Sequence, residues 1–338
     1  ETLRIVARPV TGAFSSGHVP VYRMTTETGR VLPATANHPV YTPSGWKDVG
    51  DIQPGDYVAL PRTLPYTPSG HLETHELVVM GYALSEGNLC HPASFYVYST
   101  GEDEIADYVA HLEQFANTVA VVDRSKAAAS VYAKRADRRE SSGAVTFLRD
   151  LGLMGKTATE KFIPDVVYTL APEQLALLLG RLWTGDGGIH PPTRLISYAT
   201  SSHKLAQDVQ HLLLRLGLMS RVHAKTFPYR GETREGYVVN LLGGAEAIHH
   251  FATLIGPHLI GKRRRDLDEL LRTLDVEPAR STKDILPLGM LALIAGEVRR
   301  AAHQEGLGSH TFLARHGISS GILRPNATKR GIARRTVA

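Results

Sequence analysis

A chain of 338 residues that is 43% hydrophobic and 21% charged has the composition of a globular protein with two or three domains, which excludes fibrous and disordered classes. Its single cysteine, Cys90, excludes an internal disulfide framework and a thiolate metal cluster, and no apolar run reaches the ~18 residues of a membrane span, so a reduced, cytoplasmic setting without a membrane partner is expected. The formal charge is only +5 with a pI of about 9.2, but basic residues cluster at 262–265 and again between 324 and 335, a pattern that suits a polyanion such as nucleic acid and equally suits a solvated face.

Residues 1–62 read as β structure. The stretches 4–7 and 19–24 are short and rich in β-branched residues, with breaks at Ser15-Ser16-Gly17 and Thr28-Gly29 and turns at Pro43-Ser44-Gly45 and Pro54-Gly55. Three prolines between Pro61 and Ser69 mark residues 63–71 as a linker. From 72 to about 280, helical and strand patterns alternate. Apolar residues recur at helical spacing over 76–84, 104–115, 173–184, 205–216 and 266–274, while 94–98 and 237–242 read as strands. Residues 281–338 read as a small basic helical tail. It holds a helix over 286–303 and a segment at 311–323 whose His316-Gly317-Ile318 break fits either the turn of a helix-turn-helix or a plain helical tail.

The alternating region repeats itself. VMGYALSEG at 79–87 and LGRLWTGDG at 179–187 both run from an apolar helix into an acid followed by glycine. At the same offset of one hundred residues, Tyr98-Ser99-Thr100 matches Tyr198-Ala199-Thr200, and IADYVAHL at 105–112 matches LAQDVQHL at 205–212. Lys161 follows Glu86 by 75 residues and Lys262 follows Asp186 by 76. Repeats raise the question of what joins the copies. The helices 76–84 and 173–184 are apolar nearly all round and must be buried. Packed on one another, with Gly81 and Gly180 easing the approach, they would bring Glu86 and Asp186 together; Arg181 stands out as a disturbance to that packing. Either acid alone is most simply a helix end. Two acids at equivalent positions favour a site, and paired carboxylates in a basic protein suit Mg²⁺, a hard cation that prefers oxygen ligands. A metal flanked by a lysine from each half fits phosphodiester cleavage. A twofold-related pair of sites fits the two strands of a duplex.

These residues carry a resemblance. VMGYALSEG and LGRLWTGDG resemble the paired motifs of single-chain LAGLIDADG homing endonucleases. Glu160-Lys161-Phe162-Ile163-Pro164 resembles the K-x-I-P block of inteins that carry such nucleases, and 198–222 resembles the block after the second motif. Thr35-Ala36-Asn37-His38 resembles the T-x-x-H block of an intein splicing domain, and Gly55-Asp56-Tyr57-Val58 the strand that follows it. The combination is most similar to inteins of actinobacterial DnaB-type replicative helicases. The resemblance covers about 1–275.

The resemblance implies an α+β fold. Residues 1–62 would be a partial β-rich HINT-type splicing domain, 63–71 a linker, 72–170 and 171–280 the two endonuclease halves, and 281–338 the helical tail. The halves would form a pseudo-twofold saddle, αββαββα repeated twice, astride double-stranded DNA. Glu86 and Asp186 become the Mg²⁺-binding catalytic acids. Lys161 and Lys262 become the catalytic basic residues, with Lys225 a rival in the second half, and Thr35 and His38 become the splicing-block residues. The implied protein is a monomeric, Mg²⁺-dependent, site-specific double-strand DNA endonuclease, flanked by its host helicase in the full-length precursor. The chain opens on Glu1 and closes on Ala338, so both splice junctions are missing from it, and it is expected to be an interior piece unable to splice. Two alternatives stay open: a DNA-binding protein of this fold without the chemistry, and a decayed endonuclease.

Overall fold

The computed structural model describes residues 5–15, 17–229, 231–276, 285–287, 290–316 and 331–333. They fall into two compact units. The larger takes the described residues of 1–8, 27–30 and 62–279, and the smaller those of 9–26, 31–61 and 280–338.

In the smaller unit, β1 (Val21–Thr25) pairs antiparallel with β2 (Val31–Thr35), Val21 opposite Thr35. A second hairpin joins β3 (Pro39–Thr42) to β4 (Gly45–Asp48). Its turn is held by the Thr42 hydroxyl, which donates to the Gly45 carbonyl at 2.7 Å. Gly45 has φ +105°, a left-handed backbone that favours glycine. The expected strand at 4–7 does not form over its described residues. Ile5 and Val6 are 54% and 53% exposed, and an extended run with no strand to pair with gains nothing from its β propensity.

The larger unit contains two runs of elements in the same order. The first is α1 (Thr74–Leu84), β5 (Gly87–Asn88), β6 (Tyr96–Ser99), α2 (Glu102–Leu112), β7 (Thr118–Asp123), β8 (Ala129–Arg135) and α3 (Gly143–Asp150). The second is α4 (Pro172–Asp186), β9 (Gly187–His190), β10 (Leu195–Thr200), α5 (His203–Arg215), β11 (Ser220–Tyr229), β12 (Glu232–Leu241) and α6 (Gly244–Leu254), followed by α7 (Gly261–Val276). Each run builds a four-stranded antiparallel sheet, of order β5-β6-β8-β7 in one and β9-β10-β12-β11 in the other. The segment 63–71 has no regular element but is not loose. The amides of Ser69 and Gly70 both donate to the Thr169 carbonyl, at 2.9 and 3.1 Å, and the Arg215 guanidinium lies 4.5 Å from the Tyr66 ring centre.

Helix patterning explains the layers. In α2, Ile105, Tyr108 and Leu112 are buried at spacings of three and four, with charge opposite. α5 begins at a Ser202 cap, whose hydroxyl accepts from the Leu205 amide at 3.1 Å; its apolar residues form one stripe, but burial reaches well round the helix, to Asp208 and Gln210. By contrast, α1 is buried at every position from Leu77 to Leu84, because α2, α3 and α4 surround it. Helix α4 is buried from Leu178 to Thr184, between α1, α5, α7 and β10. Reciprocal bonds between Glu73 and Glu76 start α1, and Pro172, with its fixed φ, starts α4.

The crossing of α1 and α4 depends on glycine. A Cβ added to Gly81 would lie 2.5 Å from the Arg181 Cβ; Gly180, expected to ease the same approach, faces His258 instead, outside α1. In an exposed helix, Gly→Ala stabilises by about 1 kcal/mol. Here the sign is expected to reverse: Gly81→Ala should destabilise the fold by the ~1–3 kcal/mol typical of overpacking and so lower the urea midpoint. A midpoint at or above that of the parent would show that the helices separate freely.

Arg181 does not disturb this packing. It is 7% exposed and its Nε and Nη2 donate to the two Asp107 carboxylate oxygens at 2.7 and 3.0 Å. A third donor reaches the His258 carbonyl, and the Tyr82 hydroxyl donates to Asp107 at 2.9 Å. Asp107 belongs to α2 and Arg181 to α4, so this satisfied buried pair ties one run of elements to the other.

The remainder of the smaller unit corrects the reading of a wholly helical tail. β13 (Ile285–Pro287) pairs with β14 (Gly331–Ala333), and α8 (Leu291–Gln304) and α9 (Ser309–Arg315) pack together. The expected helix over 286–303 starts later, at Leu291, because 285–287 is extended and pairs as β13. Of the 311–323 segment, 311–315 is helical; 317–323 lies outside the described residues, as does the basic run at 324–335 apart from 331–333.

Candidate active site

Glu86 sits between the end of α1 and the start of β5, and Asp186 is the last residue of α4, directly before β9. Both acids are half-buried. The helix crossing brings them together: a Cβ added to Gly185 would clash with the Ser85 side chain and stand 3.0 Å from the Glu86 Cγ. Each acid feels its surroundings strongly. Burial first, then the charge of Glu86, pushes Asp186 up to about 7, while Lys161 and Arg263 oppose the shift. Burial likewise raises Glu86 above the usual carboxylate range, against the pull of Lys161 and Arg263. Two acids held close in partial exclusion from water, with incomplete compensation, form an anionic pair waiting for positive charge.

Lys161 is buried, 5% exposed. Its ammonium donates to the carbonyls of Leu84, Ser85 and Gly87 at 2.9, 3.1 and 2.8 Å. Leu84 and Ser85 end α1, where carbonyl oxygens have no partner within the helix. The lysine therefore caps the turn that presents Glu86. Burial lowers its pKa, and Asp186 and then Glu86 hold it up.

Lys262 is placed differently. It stands in the first turn of α7 with its side chain 67% exposed, bonded to both Asp266 oxygens at 2.7 Å. The cation of this segment that acts on both acids is its neighbour Arg263. Successive helix positions differ by about 100° around the axis, and only one of the two faces the pair. Lys225 is exposed on β11. A cleft of about 410 Å³ opens beside Glu86, lined by Thr184, Gly185, Lys262 and Arg263 among others.

Two residues of the site were not singled out by sequence reasoning. One is Arg263, hidden within the basic run. The other is Tyr198, whose ring packs 5.2 Å from Trp183. Its hydroxyl is buried with no hydrogen-bond partner among the described residues. Burial, then the charges of Asp186 and Glu86, holds it well above the usual phenol range. The recurrence of Tyr98 at Tyr198 was the available signal.

The oxygen-only, under-compensated pair fits a hard divalent cation. Among the described residues no three His, Cys, Asp or Glu cluster as ligands, so such an ion would keep most of its coordination sphere for water and substrate, as Mg²⁺ commonly does. In the smaller unit, Thr35 ends β2 and its hydroxyl donates to Asn37 at 2.7 Å. The His38 amide closes the turn onto the Thr35 carbonyl at 3.1 Å, and the His38 side chain is exposed.

Residues 173–256 match the LAGLIDADG-like domain family. The chain is 35% identical to the replicative DNA helicase DnaB of Rhodothermus marinus, over 97% of this chain and 36% of the helicase. It is 28% identical to protein RecA of Mycobacterium tuberculosis, over 64% of this chain and 28% of RecA. It spans about a third of the length of the DnaB helicases it matches. Among solved structures, the homing endonuclease I-DmoI in complex with DNA and Mn aligns with a TM-score of 0.39 and 14% identity, covering 55% of this chain and 98% of that one.

Proposed function

We propose that this chain is the endonuclease-bearing part of an intein and makes a Mg²⁺-dependent, site-specific double-strand cut in DNA. The observation that carries the proposal is the meeting of Glu86 and Asp186 at the base of the α1–α4 crossing, each acid followed by glycine and a strand. The two runs of identical element order support a duplicated, pseudo-twofold saddle. The match to limited parts of both a replicative helicase and RecA supports an insert carried by different hosts, the DnaB helicase being the host here. The turn at Thr35–His38 supports a HINT-type splicing remnant in the smaller unit.

In this reading Glu86 and Asp186 hold the cation. Bound there, the metal supplies neutralisation of phosphate charge and a water of lowered pKa. The chain's own residues do the rest. Arg263 offsets the pair's charge from α7, Lys161 fixes the turn that carries Glu86, and Gly87 and Gly187 let strands begin directly after the acids. The antiparallel β11–β12 ribbon has dimensions suited to a major groove about 12 Å wide.

The test is plasmid cleavage, using DNA that carries the uninterrupted helicase gene. Linear product with Mg²⁺, and none with chelator, is expected. Binding without cleavage would instead establish a DNA-binding protein that lacks the chemistry. The logarithm of the affinity should fall linearly with the logarithm of salt concentration, with a slope of about −0.9 per phosphate contacted. An affinity flat across salt would sink the saddle reading.

A further inference from the structure

We infer that Lys161 is a positioning residue, not a catalytic one, and that it transmits a brace from α5 to the turn presenting Glu86. The inference rests on the reading of Glu86 as a cation ligand.

A lysine ammonium has three donors and no acceptor. At Lys161 all three point at main-chain carbonyls, within 3.1 Å of Leu84, Ser85 and Gly87. A donor left to polarise a water or meet a phosphate would have to be taken from the end of α1 or the start of β5. Glu86 lies between two of these carbonyls in the chain, so the ammonium clamps the backbone on both sides of the acid. The clamp is itself held from the second run of elements. The Ser202 hydroxyl donates to the Lys161 carbonyl at 2.6 Å. The Ile163 amide donates to the buried Asp208 carboxylate at 3.1 Å. Ser202 caps α5 and Asp208 lies within it. The path therefore runs from α5 through Lys161 to Glu86 and joins one acid to the half that supplies the other.

The experiment uses the full chain and two readouts, affinity for Mn²⁺ alone by titration and hydrogen exchange of the amides of 85–88 without metal. Lys161→Met, and separately Ser202→Ala with Asp208→Ala, should each weaken Mn²⁺ binding at least ~10-fold, the scale seen when groups orienting a metal's ligands are removed, and speed exchange over 85–88. Cleavage at saturating metal should stay within a few-fold of the parent. Asp208→Asn keeps an acceptor for Ile163 and should behave as the parent, which separates the brace from general loss of fold. Should Lys161→Met leave affinity and exchange unchanged while cleavage at saturating metal collapses, the lysine acts on the reacting atoms and the inference is overturned. If the parent binds no Mn²⁺ and cuts no DNA, the endonuclease reading fails, and the exchange measurement alone still decides the brace.

Discussion

Asp186→Asn is expected to abolish cleavage and yet raise the melting temperature. On the proposed reading, the loss follows from removing one of two anionic ligands. Disturbing groups that merely orient a metal's ligands costs about 10–100-fold, so loss of the ligand itself should exceed ~10²-fold at any Mg²⁺ concentration. The gain in stability follows from linkage. Asp186 in the folded protein is raised to about 7 by burial and by Glu86, well above its value in an unfolded chain, ~3.9. Between those two values the folded state binds more protons than the unfolded state, so stability falls as pH rises through the window and stays low above 7. Each pKa unit is worth about 1.4 kcal/mol. With allowance for partial access of water, the charged acid burdens the fold by on the order of 2–3 kcal/mol near pH 8. Asparagine removes that burden. The variant should melt above the parent at pH 8 and converge with it near pH 4. Equal melting temperatures at both values would mean that the acid is well solvated and the pair uncoupled.

Arg181→Met carries the largest expected loss of stability. The guanidinium and the Asp107 carboxylate have side chains only 8% and 13% exposed. Replacing the arginine leaves Asp107 buried with Tyr82 as its remaining strong donor, and breaking a buried pair on one side costs about 3–5 kcal/mol. Asp107→Leu strands the opposite charge and should cost a similar amount. Buried pairs replaced whole by apolar groups are often neutral or better, so Arg181→Met combined with Asp107→Leu should regain most of the loss. Urea unfolding of the four proteins gives the coupling directly. Additive losses in the double variant would show that the two residues act independently.

Much of the fold was legible because it follows from periodicity. The helices over 104–115 and 205–216 form as Glu102–Leu112 and His203–Arg215, since one apolar stripe is a local property of the chain. The all-round apolarity of 76–84 and 173–184 announced burial. What escaped was pairing at long range. Arg181 read as an intruder because its carboxylate lies 74 residues earlier in the sequence. Lys161 was legible as a special lysine, but its partners are main-chain oxygens, which no residue type reveals. That Arg263 acts on the acids where Lys262 was expected turns on helix phase. Boundaries read from sequence err by about 2–4 residues, enough to rotate one side chain away and its neighbour in.

The meeting of Gly81 with Arg181 bears on how such a gene can change. Similar tandem stretches invite recombination that overwrites one with the other. Were 172–186 copied over its counterpart, arginine would face arginine at a distance suited only to a hydrogen atom, with no room and no second aspartate. The reverse exchange would leave Asp107 without its guanidinium. Making the two motif helices identical is therefore expected to cost stability whichever of them is copied, unless a partner residue changes with it.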